Sequence, residues 1–241
     1  MHTYDTIFSN KQNILFVMAH PDDILVYYAA LVNKLRKDNK NVFVLTVSNG
    51  ARGSRENEIS EEKLAKQRLD EETAALKFLG VPQVNIFFLH YKDGEIESNY
   101  KLIGEISRYI RKVKADIVCT HEPTAIYQQT YNKEGFFVQH RDHRKVAEAV
   151  VDSAYPFSRD RSFFPEHAKE GIKPHKFYDI IMTDEIESNF ELDYTEELET
   201  KKSAMGLHKS QFDEDAISDI IDAVKRDGKY MERYFYVNLM W

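Results

Sequence analysis

The chain has 241 residues, and its 42% hydrophobic and 12% aromatic content can build the core of one sizeable α/β domain. This composition excludes a chain that is disordered throughout. The net charge of −7 and the pI near 5.8 argue against nucleic acid as a partner, because phosphate binding requires a basic surface. The apolar runs are strand-sized, far shorter than the roughly 18 residues of a membrane span.

The amino terminus and the single cysteine bear on the compartment. Residues 1–12 are polar and lack the basic-then-apolar layout of a signal peptide. Cys119 cannot form an internal disulfide, which fits a reducing environment, and its apolar neighbours indicate a core position rather than a nucleophile. We therefore expect a cytoplasmic protein that binds a small molecule, with no nucleic-acid partner and no membrane span; homo-oligomers are compatible with the sequence.

Short β-branched runs alternate with longer helical patterns along the chain. The strands are predicted at 13–19, 42–48, 84–89, 116–120 and 176–182. The helices are predicted at 24–38, 60–79, 98–114 and 142–155. Such alternation predicts an α/β fold with a doubly wound, mostly parallel, Rossmann-like sheet flanked by helices. The segment 195–236 is predicted to form two helices around His208, so we expect residues 1–241 to be a single domain.

Two long loops follow predicted strands. The loop at 49–59 contains two glycines together with Arg52 and Arg55, and the loop at 121–139 contains several aromatic residues. Loops on the carboxyl side of the strands hold ligands in this architecture. We therefore expect the two loops to form the wall that faces the substrate.

Two clusters of histidine and aspartate are the strongest functional signal. His20-Pro21-Asp22-Asp23 directly follows the apolar run at 14–19, and His140-Arg141-Asp142-His143 precedes a predicted helix. Charged residues at the end of a buried strand are costly unless they are paired or bind a metal. In an open α/β sheet both places meet in one crevice. Together the clusters predict a divalent metal site with a carboxylate left over for proton transfer.

Each cluster also has a structural explanation. One aspartate of the first cluster could cap the following helix, although this does not explain a second aspartate and a histidine. A His-x-x-His pair is weak evidence by itself. Two imidazoles and a carboxylate form a three-ligand set with open positions, as in catalytic zinc sites. The same set occurs in non-haem Fe(II) oxygenases, but the α/β pattern argues against that class.

With these motifs the chain resembles the LmbE / PIG-L family of metal-dependent N-acetylglucosamine deacetylases. The resemblance extends over roughly residues 12–212, and its most specific parts are Ala19-His20-Pro21-Asp22-Asp23 and His140-Arg141-Asp142-His143. Weaker matches are Leu45-Thr46, Gly50, Arg68, Glu71, Leu79-Gly80-Val81, Asp93-Gly94, Lys202, His208 and Gln211.

The resemblance implies a metal centre and a general base. His20, Asp23 and His143 would be the ligands of one ion, expected to be Zn²⁺, with Fe²⁺ or another divalent ion left open. Asp22 would be the general base that acts on water at the metal. These residue types are all present in the chain.

The second motif is implied to assist the reaction from the opposite side. A positively charged His140 would stabilise the oxyanion or protonate the leaving amine, and Asp142 would tune this imidazole. The chain departs from the family pattern at Ile24, where glutamate is usual, and at Arg141, where proline is usual. These departures put the identity of the substrate in question more than the metal chemistry.

A further set of residues is expected to bind the substrate. Many members of the family have a tyrosine shortly before the second motif, and Tyr127 or Tyr131 would replace it here. Arg52 in the glycine loop and Asp93 in a DG turn are candidates for contacts with a sugar. His208 is the remaining candidate.

The sequence thus predicts a zinc-dependent hydrolase that removes the N-acetyl group from an N-acetylglucosamine-type sugar or conjugate. The alternative is a nucleotide- or sugar-binding α/β protein without hydrolytic activity. A dinucleotide-binding module is disfavoured because the first strand leads into His20-Pro21-Asp22-Asp23 rather than a G-x-G-x-x-G turn. A purely structural metal site is disfavoured because it does not need Asp22 as a free carboxylate.

Overall fold

A computed structural model describes residues 1–54, 59–128, 135–183 and 187–240 of the chain. Its strands are β1 Asn13–Met18, β2 Asn41–Ser48, β3 Ile86–Tyr91, β4 Ile117–His121, β5 Tyr127–Gln128, β6 Phe137–Val138, β7 Asp179–Thr183, β8 Phe190–Asp193, β9 Lys225–Arg226 and β10 Lys229–Asn238. Its α-helices are α1 Tyr4–Phe8, α2 Asp23–Tyr27, α3 Ala29–Lys37, α4 Glu61–Phe78, α5 Tyr100–Val113, α6 Arg141–Asp152, α7 Glu166–Lys169, α8 Leu198–Met205 and α9 Glu214–Ala223.

The main sheet has the strand order β3-β2-β1-β4-β7-β10-β8, and β9 pairs with β10. The first five strands of this order are parallel to one another, whereas β10 pairs antiparallel with both β7 and β8. The predicted α/β class with a mostly parallel sheet is therefore confirmed. The chain proceeds from β1 to β2 and β3 on one side and then returns to place β4 on the other side of β1. The carboxyl ends of β1 and β4 thus meet at a topological switch point.

Alternate residues of β1 enter two separate cores, one on each face of the sheet. Phe16 and Met18 pack with helices α2, α3, α4, α8 and α9, whereas Leu15 and Val17 pack with α5 and α6. A strand that is buried on both faces reads as a continuous apolar run, which is why the sequence pattern located it. Cys119 is confirmed as a core residue, and burial raises the pKa of its thiol well above the usual range.

The predicted helix at 24–38 is divided at Tyr28, whose backbone adopts φ −132° and ψ 3° between α2 and α3. The side chain of Tyr28 is fully buried, and its hydroxyl donates to the carbonyl oxygens of Thr120 and Ile181. This position ties α2 to the strands beneath it. In the described part of the chain, no helix is long and apolar enough to cross a membrane.

The prediction of helix up to residue 236 is wrong at its carboxyl end. Two helices do flank His208, but Lys229–Asn238 is a long antiparallel strand of the main sheet. This segment is rich in aromatic residues, which favour strands, and it fills the position beside β7. The aromatic composition of this segment and its pairing with β7 therefore favour a strand over a helix.

Buried polar contacts of Glu232 attach this strand to helices α3 and α8. The carboxylate of Glu232 accepts from the backbone N–H groups of Ala30 and Leu31, each at 2.9 Å, at the amino end of α3. The ammonium group of Lys201 lies 2.7 Å from the same carboxylate, and both side chains are 2% exposed. Breaking such a pair leaves one charge buried without compensation.

We expect Lys201→Met to lower the free energy of unfolding by about 3–5 kcal/mol, because it leaves the Glu232 carboxylate without its counter-ion. Lys202→Met is the matched control, since Lys202 is 40% exposed in its pair with Glu199; it should change stability by less than about 0.5 kcal/mol. Urea unfolding followed by circular dichroism measures both. Equal effects of the two substitutions would contradict the structural role of the buried pair.

Candidate active site

The two histidine motifs meet at the switch point of the sheet. The first follows β1 and continues into α2, and the second forms the first turn of α6. The cavity at this place is lined by His20, Asp22, Asp23, Arg52, Gly53, Arg68, Asp93, His140 and Gln211. The cavity therefore brings together His20, Asp23, the predicted base and the predicted oxyanion stabiliser. The third predicted ligand, His143, is not part of this lining but lies 3.1 Å from Asp23.

Asp23 is the centre of this cluster. Its Oδ2 accepts a 2.7 Å hydrogen bond from the backbone N–H of His20 and lies 3.3 Å from Nε2 of His121. Its Oδ1 lies 3.1 Å from Nε2 of His143. Burial alone would raise the pKa of Asp23, but the surrounding imidazoles of His143, His20 and His121 hold it well below the usual range. The carboxylate is therefore ionised and available as a ligand.

His20 lies among three carboxylates. Its Nδ1 is 3.4 Å from Asp23, and its Nε2 is 3.4 Å from both Asp93 and Asp142. Burial opposes a charge on this imidazole, yet the carboxylates raise its pKa well above the usual range. The surroundings of His20 thus stabilise positive charge, whether it comes from a proton or from a cation.

The donor set fits a divalent metal ion. Among the described residues, three overlapping groups place one ligand atom from each member within 4.8 Å of the others: His20, His140 and His143; Asp23, His121 and His143; and His20, Asp93 and Asp142. The buried Nε2 of His20 has no hydrogen-bond partner in the same part of the chain. Imidazole nitrogens and carboxylate oxygens are the ligands that zinc and related ions prefer.

Asp22 adopts a backbone conformation that is unusual for a residue with a side chain. Its φ is 120° and its ψ is −31°, and conformations this sparsely populated cost of order 1–3 kcal/mol. Asp22 occupies the cap position of α2, but its carboxylate makes no capping hydrogen bond to the described residues of that helix. The alternative of a simple helix cap therefore does not account for it.

The carboxylate of Asp22 faces the cavity beside Arg68. Its Oδ2 lies 2.9 Å from Nη2 of Arg68. Burial raises the pKa of Asp22 to about 6, and this effect outweighs the opposing charge of Arg68. A carboxyl group with a pKa near the working pH can both accept and return a proton.

Arg68 holds the two loops that border the cavity. Its guanidinium donates to the carbonyl oxygens of Gly50, at 2.7 Å, and Pro21, at 2.6 Å. A Cβ atom at Gly53 would lie 2.2 Å from Nη1 of Arg68, so a larger residue at this position would displace the guanidinium. The sequence pointed to Arg68 solely through the family resemblance, because an arginine in a charged helix carries no distinctive pattern.

His140 also lines the cavity, and its ring accepts a hydrogen bond from the backbone. Its Nδ1 accepts from the backbone N–H of Asp142 at 3.1 Å, which assigns the ring proton to Nε2. Burial lowers the pKa of His140, and the charges of His20 and His143 lower it further. Both the hydrogen bond and the lowered pKa favour a neutral ring with its proton on Nε2, whereas the sequence led us to expect a positively charged His140.

The carboxylate of Asp142 contacts His20 rather than the ring of His140. Its Oδ2 lies 3.4 Å from Nε2 of His20 and accepts from the backbone N–H of Gly94 at 2.7 Å. Asp142 therefore affects His140 in two ways. Its backbone N–H donates to Nδ1 of His140, and its negative charge opposes the lowering of the pKa of that imidazole. Gly94 has φ 79°, which confirms the turn at this position and brings Asp93 into the cavity.

The predicted substrate-binding residues are placed unequally. Asp93 lines the cavity, and its Oδ2 accepts from the backbone N–H of Arg52 at 3.0 Å. Arg52 also lines the cavity, although its guanidinium is paired with Glu61 at 3.1 Å and Glu95 at 2.9 Å. Tyr127 is 62% exposed on β5.

One other predicted residue, His208, is not among the residues that line the cavity, and two further residues cannot be compared. His208 is fully buried, and its Nδ1 lies 3.2 Å from Glu71 on α4. Burial lowers the pKa of His208 to about 4, with a further contribution from Arg68. His208 is therefore buried next to Glu71 and does not belong to the lining of the cavity. Tyr131 and Arg55 fall outside the described residues.

Sequence reasoning missed Glu72 and gave little weight to His121 and Gln211. His121, the last residue of β4, is fully buried and stacks on His143 with ring centroids 3.9 Å apart. Glu72 is fully buried below Asp22, to whose backbone N–H it is hydrogen-bonded at 3.0 Å. Gln211, noted from the family pattern alone, lines the cavity. The position of His121 at the end of a predicted strand was the available signal.

The family description PIG-L: GlcNAc-PI de-N-acetylase matches residues 15–154. The chain belongs to this family. The matched range includes both histidine motifs and the helix that carries Arg68, so the family resemblance predicted from the sequence is confirmed.

Individual relatives agree with this assignment. The chain is 28% identical over 208 residues to the diacetylchitobiose deacetylase of Thermococcus kodakarensis. The aligned region covers 86% of this chain and 73% of that protein. The fold is similar to that of N,N'-diacetylchitobiose deacetylase from Pyrococcus horikoshii, with a TM-score of 0.84, 23% identity, and coverage of 97% of this chain and 86% of that one. A 4-carboxy-2-hydroxymuconate hydratase from Pseudomonas putida also shares the fold, with a TM-score of 0.69, 18% identity, and coverage of 95% and 98%. The fold alone therefore does not determine the reaction.

The tautomer of His140 is directly testable. In the metal-free protein at about pH 6.5, the usual pKa of histidine, we expect His140 to be neutral with its proton on Nε2, because Nδ1 accepts from Asp142 and the pKa is lowered. Long-range ¹H–¹⁵N correlation spectra of the imidazoles report the tautomer, and the spectrum of His140→Asn assigns the signals. A proton on Nδ1, or a fully protonated ring, would contradict the geometry.

Proposed function

We propose that the chain is a metal-dependent N-deacetylase that hydrolyses the acetamido group of an N-acetylglucosamine-type sugar or conjugate. The observation that carries this proposal is the cavity that Asp22 and His140 line together with members of a histidine-aspartate cluster. Membership of the PIG-L family and the names of its relatives support the same reaction class.

His20, Asp23 and His143 are proposed to hold the metal ion, with zinc as the first choice and Fe²⁺ or another divalent ion as alternatives. Two imidazoles and one carboxylate leave open positions for water and substrate. When bound, such an ion polarises the acetyl carbonyl and makes water more acidic. His121 supports this ligand set, because it contacts both Asp23 and His143 within the buried layer.

Asp22 is proposed to move the proton in both halves of the reaction. It accepts a proton from the attacking water while the water oxygen forms a bond to the acetyl carbon. It then returns that proton to the sugar nitrogen as the carbon–nitrogen bond breaks, which gives acetic acid and the amine; the acid then passes its proton to the amine, so the final products are acetate and the ammonium form of the sugar. The pKa of about 6 suits this exchange near neutral pH. Arg68 keeps the carboxylate oriented towards the cavity.

His140 is proposed to stabilise the tetrahedral oxyanion with its Nε2–H group. A neutral imidazole whose Nδ1 is occupied by a backbone N–H points its remaining donor in one direction. Loss of one oxyanion donor typically costs about 10²–10³ in kcat. Because the ring is neutral, the proton for the leaving amine is assigned to Asp22 rather than to His140.

The polar wall of the cavity supports an amino-sugar substrate. Asp93 and Arg52 line it together with Gln211, and such groups recognise sugar hydroxyls through hydrogen bonds. The relatives named as deacetylases of diacetylchitobiose are consistent with this substrate class. Tyr127 and Tyr131 remain predictions for the substrate-facing loop. A cytoplasmic location and homo-oligomerisation also remain predictions.

A non-hydrolytic sugar- or nucleotide-binding protein is the competing proposal. It does not account for Asp22, whose carboxylate is held beside the proposed metal ligands at the expense of an unusual backbone conformation. A binding protein gains nothing from a second carboxylate with a raised pKa at that place. Hydrolysis explains both features.

We expect Asp22→Asn to lower kcat for acetate release from diacetylchitobiose by at least about 10²-fold, because the amide cannot accept a proton. The metal content should stay equal to that of the wild type, since Asp22 is not a proposed ligand. Acetate release and metal analysis of the same preparations measure both quantities. Full metal content together with nearly unchanged kcat would show that another group is the base.

We expect His143→Ala to abolish stoichiometric metal binding and His121→Leu to weaken it by about 10–100-fold, the usual effect of removing a residue that orients a ligand. His167→Leu is the matched control, because His167 is equally buried but lies beside Arg111. Competition with a chelating dye gives the metal affinities. Equal affinities of the His121 and His167 variants would remove His121 from the metal centre.

A further inference from the structure

We infer that Glu72 is a positioning residue for the proposed base: it holds the backbone of Asp22 in the conformation that turns the carboxylate into the cavity. This inference rests on the proposed function. It assigns a role to a fully buried acidic side chain that neither lines the cavity nor belongs to the metal cluster of the described residues.

The first observation is the hydrogen bond between the two residues. Oε2 of Glu72 accepts from the backbone N–H of Asp22 at 3.0 Å. The peptide group that carries this N–H is also held at its other end, because Arg68 donates to the carbonyl oxygen of Pro21 at 2.6 Å. Both the N–H and the C=O of the peptide group between Pro21 and Asp22 are therefore hydrogen-bonded.

The second observation is the conformation of Asp22. A φ of 120° is disfavoured for an aspartate, so the surroundings must select it. The backbone and the side chain of Asp22 are held by the same helix: Glu72 binds its N–H, and Arg68 lies 2.9 Å from its Oδ2. Without the bond to Glu72, the backbone would be free to rotate towards a commoner conformation and the carboxylate would leave its place.

The third observation is the geometry of the helix that supplies both groups. Arg68 and Glu72 are four residues apart on α4 and therefore lie on the same face. Both are buried, at 3% and 0% exposure. Two side chains of a rigid helix, one turn apart, can fix the neighbouring chain more accurately than a loop can.

The remaining oxygen of Glu72 is also accounted for. Its Oε1 accepts from the hydroxyl of Thr46 on β2 at 3.2 Å. Burial, with a smaller contribution from Asp22, raises the pKa of Glu72 to about 8. Glutamine has nearly the same shape and keeps an acceptor for Asp22. It is therefore the conservative substitution that should preserve the role.

The test compares three variants of the metal-loaded enzyme. Glu72→Met removes both acceptors at similar volume and should lower kcat by about 10²-fold, the usual effect of displacing a reacting group by about 1 Å. Its KM and metal content should match those of the wild type. Glu72→Gln should retain kcat within about threefold, because its amide oxygen can still accept from the backbone N–H of Asp22. That factor corresponds to a change of ~0.6 kcal/mol in the activation free energy. Glu71→Gln is the matched control on the same helix, since Glu71 contacts Ser210 and His208 instead.

A second readout does not depend on activity. The amide proton of Asp22 should exchange slowly with deuterium in the wild type and in Glu72→Gln, and fast in Glu72→Met, when melting temperatures are compared alongside. If Glu72→Met does not fold, slow exchange in the wild type and in Glu72→Gln carries the test. An Asp22 amide that exchanges in the wild type as fast as an unprotected amide would overturn the inference.

The outcomes separate this inference from the proposed function. If Asp22→Asn is inactive while Glu72→Met keeps its kcat, Glu72 does not position the base and the proposed function stands. If Asp22→Asn is itself active, the assignment of the base has failed whatever Glu72 does. A general loss of stability in Glu72→Met, with KM and kcat unchanged at low temperature, would reduce Glu72 to a structural residue.

Discussion

The site depends on one electrostatic constraint: the carboxylate of Asp23 is buried where β1 ends and is compensated by imidazoles from three different elements. A buried ion without partners is too costly to persist, so the loop after β1, the end of β4 and the first turn of α6 must meet around it. The carboxylates of Asp23, Asp142 and Asp93 raise the pKa of His20. An arrangement that stabilises this much positive charge at one point is suited to a divalent cation.

The parts of the fold that the sequence predicted are those with a simple physical signature. Strands β1 and β4 are buried on both faces and read as continuous apolar runs, and the first histidine motif directly follows the run of β1. The strand Lys229–Asn238 was missed because its partners are distant in the chain, and pairing with β7 and β8 decides its conformation. Tertiary context outweighed local spacing at that place.

The surroundings of the site were much less predictable than its centre. Glu72 lies in a helix with many charged residues, and nothing local distinguishes it from Glu71, which faces a different partner. His208 matched the family pattern, yet the fold buries it behind Arg68. Which side chain of a polar helix faces the site depends on how the helix is rotated against the sheet. A sequence shows the residue types, whereas this rotation follows from packing across the whole core.

The central claim is that His20, Asp23 and His143 together bind one divalent ion next to the free carboxylate of Asp22. The most direct measurement is a crystal structure of the metal-loaded protein with anomalous data collected at the absorption edge of zinc. The account predicts a single anomalous peak about 2.0–2.2 Å from one atom of each of these three side chains, with Asp22 uncoordinated. A peak elsewhere, or one whose ligands exclude Asp23, would contradict it.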